Sequence, residues 1–274
     1  MKKLNWLLGL SIGLVIFLIG QWPDKKLHLI FCNVGQGDAI LMTYKDKQIL
    51  VDGGPDNSVL SCLGKNMPFW DRKIEMVVLT HLDSDHLDGL IDVLTRYEVG
   101  NLSLTNLVSN KADYRQLMAE VKDKQIKTTE LLAGDKLEFG PVNLAVLWPP
   151  SAKASEGQAS NTLATVLEGR FGEFSWLLPA DITEKEEKNL DVRQVQVLKV
   201  AHHGSKYSSS EEFLKAVKPE LAVISVGKNS FGHPTPETLQ RLAAEGAKIL
   251  RTDKNGQIAI VSDGRSWYIK PDEN

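Results

Sequence analysis

Apolar positions follow three rhythms along the chain. From Leu4 to Gly20 (LNWLLGLSIGLVIFLIG) no charge interrupts and no face is polar; Lys2 and Lys3 precede the run and Gln21-Trp22-Pro23 follow it. At about 1.5 Å per helical residue, such a run comes close to crossing a bilayer. The pattern therefore predicts a membrane-spanning helix, with the lysines holding the N-terminus in the cytoplasm and the rest of the chain outside. A cleaved secretory signal shares these features, but no small-x-small cleavage site precedes Pro23, which favours an anchor over a secreted product.

From Lys25 onward, alternating and short continuous apolar runs give way repeatedly to helical spacing. LHLIFCNV, AILMTY and KQILVD read as three early strands joined by turns at Gly35, Gly37 and Lys45-Asp46-Lys47. Further strands are expected at 102–108, 142–148, 163–167, 175–179, 195–200, 221–226, 249–252, 257–261 and 266–269, and the apolar run Met76–Leu79 reads as another. Helices are expected at 87–97, 112–122, 183–190, 211–217 and 236–246, and the small, polar segment 151–160 reads as a mobile surface loop. Many strands with interspersed helices, without strict βαβ alternation, predict an α/β (α+β) sandwich of two mixed sheets with helices outside. Residues 1–23 are thus expected to form the anchor or signal and 24–274 a single catalytic domain.

Composition narrows this only slightly. At 274 residues and 42% hydrophobic, the chain can bury one large core. A formal net charge of −3 supplies no basic field, so any polyanion would be held locally. Two cysteines make neither a disulfide framework nor a CxxC metal clip, and Cys32, inside an apolar run, reads as core.

The chemistry is concentrated elsewhere. THLDSDH, residues 80–86, places His81, Asp83, Asp85 and His86 at a strand's carboxyl end, where imidazole and carboxylate groups can converge on one or two divalent cations. An acidic loop capping the next helix would explain one aspartate but neither histidine. Five of the six histidines fall in three places, each after an apolar run: His81 and His86, His202 and His203 in VLKVAHHGS, and His233 in SVGKNSFGHP. His28 stands apart and reads as structural. Asp181, ending WLLPAD, supplies a further acid or caps the helix that follows.

The stretches FCNVGQGDAIL, ILVDGG, VVLTHLDSDHLDGL, SNTLATVLEGRFGEFSWLLPADI, VLKVAHHGSKYSSS and GHPTPETLQRL, in this order from about residue 27 to 261, resemble the metallo-β-lactamase superfamily. Within it they resemble the hydrolase domain of ComEC-type DNA-uptake proteins. The resemblance implies a four-layer αββα sandwich with the metal site at the sheet edges. It makes His81 and Asp83 ligands of one metal, Asp85 and His86 ligands of a second, and Asp181 the bridge. One of His202 and His203 completes the second site, His203 being the expected ligand, and His233 is a further ligand or a catalytic group. Asp52 would sit beneath the site and orient a ligand histidine, or serve merely as a turn residue before Gly53-Gly54. Asp38, Asn161 and Lys206 are further candidates for support or substrate binding.

Two departures from the family pattern stand out. No histidine lies between His86 and His202, so the first site lacks a ligand, with Ser160 or Asn161 as available donors. Asn33 stands where ComEC-like sequences commonly carry aspartate before VGQGD, keeping an acceptor but losing a charge.

The expected chemistry is hydrolysis by a hydroxide held between the cations, with Asp85, His202, His203 and His233 as the catalytic set. Zinc suits the histidines, and the carboxylate-rich set makes manganese its rival. Lys199, Lys206 and Lys228 flank the later motifs and are candidate phosphate binders, or ordinary solvated lysines; Phe231 is a candidate for base stacking, while Trp148 reads better as core. The leading expectation is an anchored extracytoplasmic DNase or phosphodiesterase acting on single-stranded DNA. About twenty membrane-compatible residues cannot form the multi-span channel of ComEC-type proteins, so a separate uptake channel is the expected partner. Alternatives are a hydrolase of another phosphodiester or a lactone, and a non-catalytic module that binds nucleic acid or the channel.

Overall fold

The computed structural model describes residues 13, 22–104, 109–150 and 160–271. Apart from Gly13, Trp22 and Pro23, the expected anchor segment 1–23 lies outside these residues, as do the expected loop up to residue 159 and the end of the strand expected at 102–108. Among the described residues, no helix is long and apolar enough to cross a membrane.

The first sheet contains β1 (Leu27–Phe31), β2 (Ile40–Tyr44), β3 (Lys47–Val51), β5 (Met76–Val78), β7 (Asn101–Ser103), β8 (Lys127–Thr129), β16 (Ile258–Ser262) and β17 (Trp267–Lys270), ordered β17-β16-β1-β2-β3-β5-β7-β8. The second contains β9 (Lys136–Phe139), β10 (Val142–Trp148), β11 (Val166–Phe171), β12 (Phe174–Leu178), β13 (Val197–Lys199), β14 (Leu221–Ile224) and β15 (Lys248–Arg251), ordered β15-β14-β13-β12-β11-β10-β9. A small ribbon pairs β4 (Lys73–Ile74) with β6 (Glu98–Val99). The helices are α1 (Ser58–Asn66), α2 (Ser84–Arg96), α3 (Ala112–Asp123), α4 (Glu184–Glu187), α5 (Glu211–Val217), α6 (Pro236–Ala244) and α7 (Thr252–Asn255).

Side-chain alternation makes the layers. Leu27, Leu29 and Phe31 of β1 join Trp176, Leu178, Val197 and Val223 of the other sheet in a central apolar layer. Ile30 and Cys32 face the opposite way, packing with Val59 of α1 and Leu87, Leu90 and Leu94 of α2. Leu177, Leu198 and Ile224 of the second sheet likewise pack against Phe213 and Leu214 of α5 and Leu242 of α6. Three apolar layers between four structural ones give the αββα sandwich, and a one-residue slip in any central strand would exchange its two faces.

Strand direction then places the loops. β1 and β3 both run antiparallel to β2, hence parallel to each other, and β3 runs parallel to β5. In the second sheet β12, β13 and β14 are mutually parallel. The carboxyl ends of these strands carry the segments with Asp38, Asp52, residues 80–86, Asp181, His202-His203 and His233.

Several expectations need correction. The strand expected at 163–167 runs instead over Val166–Phe171, preceded by a 3₁₀ turn at Ser160–Leu163. Glu168, Gly169 and Arg170 disguise it: a Cβ on Gly169 would lie 1.9 Å from Trp176 Cε2, so the glycine makes room for a buried indole. Helix α1 and the short strands β4, β6, β8 and β9 were not expected, and the helix expected at 183–190 contracts to α4. Cys32 is core as expected, yet it is bonded to Cys62 with the Cα atoms 5.8 Å apart. Thirty residues separate the pair in sequence, and only folding α1 back onto the end of β1 brings them together.

Candidate metal centre

The loop after β5 is organised from beneath by Asp52. Its carboxylate accepts from Thr80 N (2.8 Å), from the Thr80 hydroxyl (2.7 Å) and from His86 Nδ1 (2.7 Å). With its proton given to Asp52, the Thr80 oxygen is free to accept from His81 Nδ1 at 2.9 Å. One buried carboxylate thus sets both imidazoles with Nδ1 protonated and Nε2 pointing outward. Asp52 makes these contacts from a left-handed backbone at φ 60°, in the turn before Gly53-Gly54.

Glycines allow the close packing around this loop. A Cβ on Gly53 would lie 2.5 Å from Leu90 N, so α2 seats directly on the turn after β3, where Gly53 N donates to His86 O (2.7 Å). A Cβ on Gly37 would lie 2.1 Å from the Asp85 carbonyl, which accepts from Asp38 N (3.1 Å) and draws the β1–β2 loop over the site.

The second sheet contributes Asp181, His202, His203 and His233. His203 Nδ1 lies 2.9 Å from the Ser225 carbonyl, which can only accept, so Nδ1 donates and Nε2 is the nitrogen turned toward the carboxylates, free to bind a metal once its proton is lost. That nitrogen lies 3.3 Å from both Asp85 Oδ2 and Asp181 Oδ2. His86 Nε2 lies 3.5 Å from Asp181 Oδ2. Asp38, His86, Asp181 and His203 are all buried, and each offers a ligand atom within 4.8 Å of the others. His81 Nε2 is 3.6 Å from Asp83 Oδ2, and the His81 and His86 rings are 4.0 Å apart.

The residues fit a divalent metal. Nε2 of His81, His86 and His203, together with Asp38 Oδ1, are buried with no hydrogen-bond partner, a costly arrangement unless another group satisfies them. Nitrogen and carboxylate donors in this mixture suit zinc or a harder cation such as manganese.

Of the two adjacent histidines, His203 is the buried one, while His202 keeps 30% of its side chain exposed and holds Nε2 3.9 Å from Asp181 Oδ2. His202 (φ 51°), His203 (φ 53°) and Ala180 (φ 51°) share the left-handed backbone of Asp52, at a cost of about 1–3 kcal/mol each. Strain gathered on four residues around one cluster marks a site whose geometry the fold overdetermines. The His233 ring lies 5.7 Å from that of His202, at the mouth of the site.

Electrostatics follow from burial and crowding. Burial works against the Asp85 carboxylate, but His203 and His86 outweigh it and lower its pKa to about 2. Burial likewise opposes the His203 imidazolium, and Asp181 leads the carboxylates that raise its pKa to about 9. Burial lowers the pKa of His202; at His233 burial and the neighbouring histidines act together in the same direction. Both rings are therefore neutral at pH 7, whereas His203 in the metal-free protein is charged.

The remaining candidates separate. Asp83 occupies the N-cap position of α2 without a side-chain capping bond, leaving its carboxylate to His81. Asp181 is no helix cap, because Thr183 and Glu186 form a capping box on α4. Ser160 reaches the loop, its hydroxyl accepting from Leu82 N (2.8 Å), while Asn161 acts through its carbonyl, which accepts from Ala164 N (3.2 Å). Asn33 caps its own turn, accepting from Gly35 N at 3.5 Å. Lys206 and Lys228 are exposed. Trp148 is half-buried and donates to Thr162 O (2.7 Å).

Lys199 corrects the sequence reading: it is neither a phosphate binder nor solvated. Wholly buried, its ammonium pairs with Asp38, lies 3.3 Å from Asp181 Oδ1 and donates to Ala180 O (3.2 Å). A lysine within VLKVA, at the end of a core strand, was the available signal, since a buried ammonium requires a carboxylate partner. Asp38 was expected in a supporting role; the structure places it within the buried cluster itself.

The two-sheet sandwich and its edge cluster define a metallohydrolase-type fold. The model of the metallo-beta-lactamase superfamily matches residues 32–228, and the chain belongs to that superfamily. Among curated proteins it is 31% identical over 270 residues to the ComE operon protein 3 of Bacillus subtilis (strain 168), covering 89% of this chain and 34% of that protein. It is 26% identical over 260 residues to the competence protein ComA of Neisseria gonorrhoeae, covering 92% of this chain and 35% of that protein. The chain thus spans about a third of the length of these relatives. Among solved structures, the metallo-beta-lactamase fold protein YhfI from Bacillus subtilis aligns with a TM-score of 0.58 at 11% identity, over 85% of this chain and 99% of that one. Igni18, a metallo hydrolase from Ignicoccus hospitalis, aligns at 0.57 and 15% identity, over 85% of this chain and 98% of that one. These likenesses establish the fold.

Proposed function

We propose that this protein is a divalent-metal-dependent phosphodiesterase that cuts single-stranded DNA outside the cytoplasm. The observation that carries the reading is the set of buried, unpartnered Nε2 atoms of His81, His86 and His203 facing Asp38, Asp85 and Asp181 at one sheet edge. His81, Asp83, Asp85, His86, Asp181 and His203 would hold the metal or metals. Bound there, divalent cations supply Lewis acidity toward a phosphoryl oxygen and make water more acidic. Lys199 neutralises part of the surplus carboxylate charge and ties up Asp181 Oδ1, leaving Oδ2 toward the histidines. His202 and His233, neutral and 5.7 Å apart ring to ring, would hydrogen-bond a phosphoryl oxygen as charge develops on it.

The substrate class draws on the relatives named for competence, and on one named "Recombination protein 2" in Haemophilus influenzae, 28% identical over 276 residues. Two features support the extracytoplasmic location: the Cys32–Cys62 disulfide, which persists in oxidising compartments, and the apolar run Leu4–Gly20 behind two lysines, read as an anchor. An uptake channel is the partner that such a location would serve.

The test incubates the full chain with end-labelled single-stranded DNA and manganese or zinc. Cutting abolished by chelator and by Asp85→Ala supports the proposal. A folded, metal-loaded protein that leaves the strand intact overturns it.

A further inference from the structure

The loop from Ser225 to Pro234 holds a large apolar ring in solvent. Phe231 is 71% exposed, yet its loop is built rigidly. The Asn229 side chain accepts from Phe231 N (3.1 Å) and His233 N (3.0 Å) and donates to the carbonyls of Gly227 and His233, both at 2.9 Å. Thr235 N, just beyond the loop, donates to Gly204 O (2.9 Å), pinning it against the His202-His203 turn. One side chain making four bonds to main-chain atoms fixes where the loop presents Phe231, most of whose ring stays in solvent.

Its position relates it to the cluster. One face of Phe231 stacks on His233, with centroids 5.7 Å apart and planes at 28°. His233 in turn lies 5.7 Å from His202, whose Nε2 is 3.9 Å from Asp181. The solvent-facing ring is therefore two ring-to-ring steps from the candidate metal centre. The adjacent loop carries a second exposed aromatic, Tyr207, with the Lys206 ammonium 5.2 Å from its ring centroid. Arg241 braces that loop by donating to the carbonyls of Lys206 (3.2 Å) and Ser208 (2.9 Å).

We propose that Phe231 is a stacking platform for an unpaired nucleobase of the strand whose phosphodiester lies at the metal cluster. Lys206 and Lys228 face solvent on the same two loops and supply positive charge for flanking phosphates. A base in a duplex has no free face for such a ring, so the platform selects single strands without reading their sequence. This inference rests on the phosphodiesterase reading.

The experiment compares full-length parent, Phe231→Ala and Phe231→Tyr, each loaded with manganese. The probes are two fluorescein-labelled, cleavage-resistant phosphorothioate strands of equal length, one oligothymidylate and one abasic, followed by anisotropy. Base stacking predicts that Phe231→Ala weakens binding of the thymidylate strand by roughly 5- to 150-fold. Phe231→Tyr should restore most of that loss, and the alanine variant's loss on the abasic strand should be several-fold smaller. Equal losses on both strands, no loss on either, or no preference of the parent for the strand with bases would overturn the platform. A parallel assay of the parent on bis(p-nitrophenyl) phosphate separates the two proposals. Hydrolysis without base-dependent loss removes the platform alone, whereas base-dependent binding without hydrolysis removes the phosphodiesterase reading, and with it the phosphodiester at the cluster, leaving Phe231 as a base-stacking contact only.

Discussion

Replacing Asp52 with asparagine tests how the site is assembled. The carboxylate faces three donors: Thr80 N on Oδ1, and the Thr80 hydroxyl and His86 Nδ1 on Oδ2. An amide of the same shape has one acceptor atom. With its oxygen toward His86, its NH₂ opposes Thr80 N; with its oxygen toward Thr80 N, its NH₂ opposes His86 Nδ1. The second arrangement is relieved only if His86 moves its proton to Nε2, turning an N–H toward the cluster. The first leaves a buried donor unpaired, which costs about 1–3 kcal/mol. At this chain length, about 2 kcal/mol corresponds to a fall in Tm of roughly 4–8 °C. Loss of an orienting partner also weakens metal binding by about 10- to 100-fold. Competition against a chromophoric chelator measures the affinity, and ¹⁵N imidazole shifts report the His86 tautomer. An asparagine variant that binds metal as tightly as the parent, with His86 still protonated on Nδ1, would refute the argument.

Three further outcomes follow from the same site and its surroundings. Lys199→Met strands Asp38 and Asp181 without their cation, so the metal-free protein should lose about 3–5 kcal/mol, with much of the loss recovered on metal loading; equal thermal shifts in both forms would contradict this. His203 has its pKa raised from 6.5 to about 9, so its ion pairs stabilise the metal-free fold fully below 6.5 and fade as pH rises through 9. Metal must displace that proton, so apparent affinity should rise with pH between 6.5 and 9, His203 alone contributing up to about tenfold per unit and the charged His86 adding to it; an affinity independent of pH between 6.5 and 9 would show that His203 carries no proton there. Replacing Cys32 and Cys62 together by serine should cost about 3–4 kcal/mol, and a reductant that lowers the parent's Tm should leave the double variant unmoved.

The layers were legible because alternation survives in the strands that make the central core: Leu27, Leu29 and Phe31 point one way and Ile30 and Cys32 the other, as period-2 spacing requires. The short edge strands were not, because two- to four-residue segments such as Lys127–Thr129, largely exposed, bury too little to leave a pattern. Helix α1 was missed for a related reason. Only Val59, Cys62 and Leu63 are buried in it, and its N-cap residue, Asn57, makes no side-chain capping bond.

At the site, ligand-type residues at strand ends located His81, Asp83, Asp85, His86, Asp181 and the His202-His203 pair, but the sequence left the choice within that pair open. Both residues adopt left-handed backbone, so strand alternation stops before it reaches them. What separates them is a tertiary contact, the Ser225 carbonyl of the neighbouring strand's loop, which fixes the His203 tautomer and turns Nε2 inward. Lys199 was misread because its neighbours in sequence are apolar, while the partners that hold it come from the ends of β1 and β12. Asp38, Asp52 and Asp181 are buried beside the partly exposed Asp85, and among the described residues the cations facing them in a metal-free protein are Lys199 and protonated histidines. Lys199 cannot be displaced as a proton can. A cation entering the site therefore exchanges with the histidine protons while the lysine stays, and the number of protons released on metal binding should equal the number of charged histidines it replaces. Calorimetry in buffers of different ionisation enthalpy would count them. Release by Lys199→Met equal to the parent's would place the exchanged protons on histidine, and release reduced by one would place one of them on the lysine.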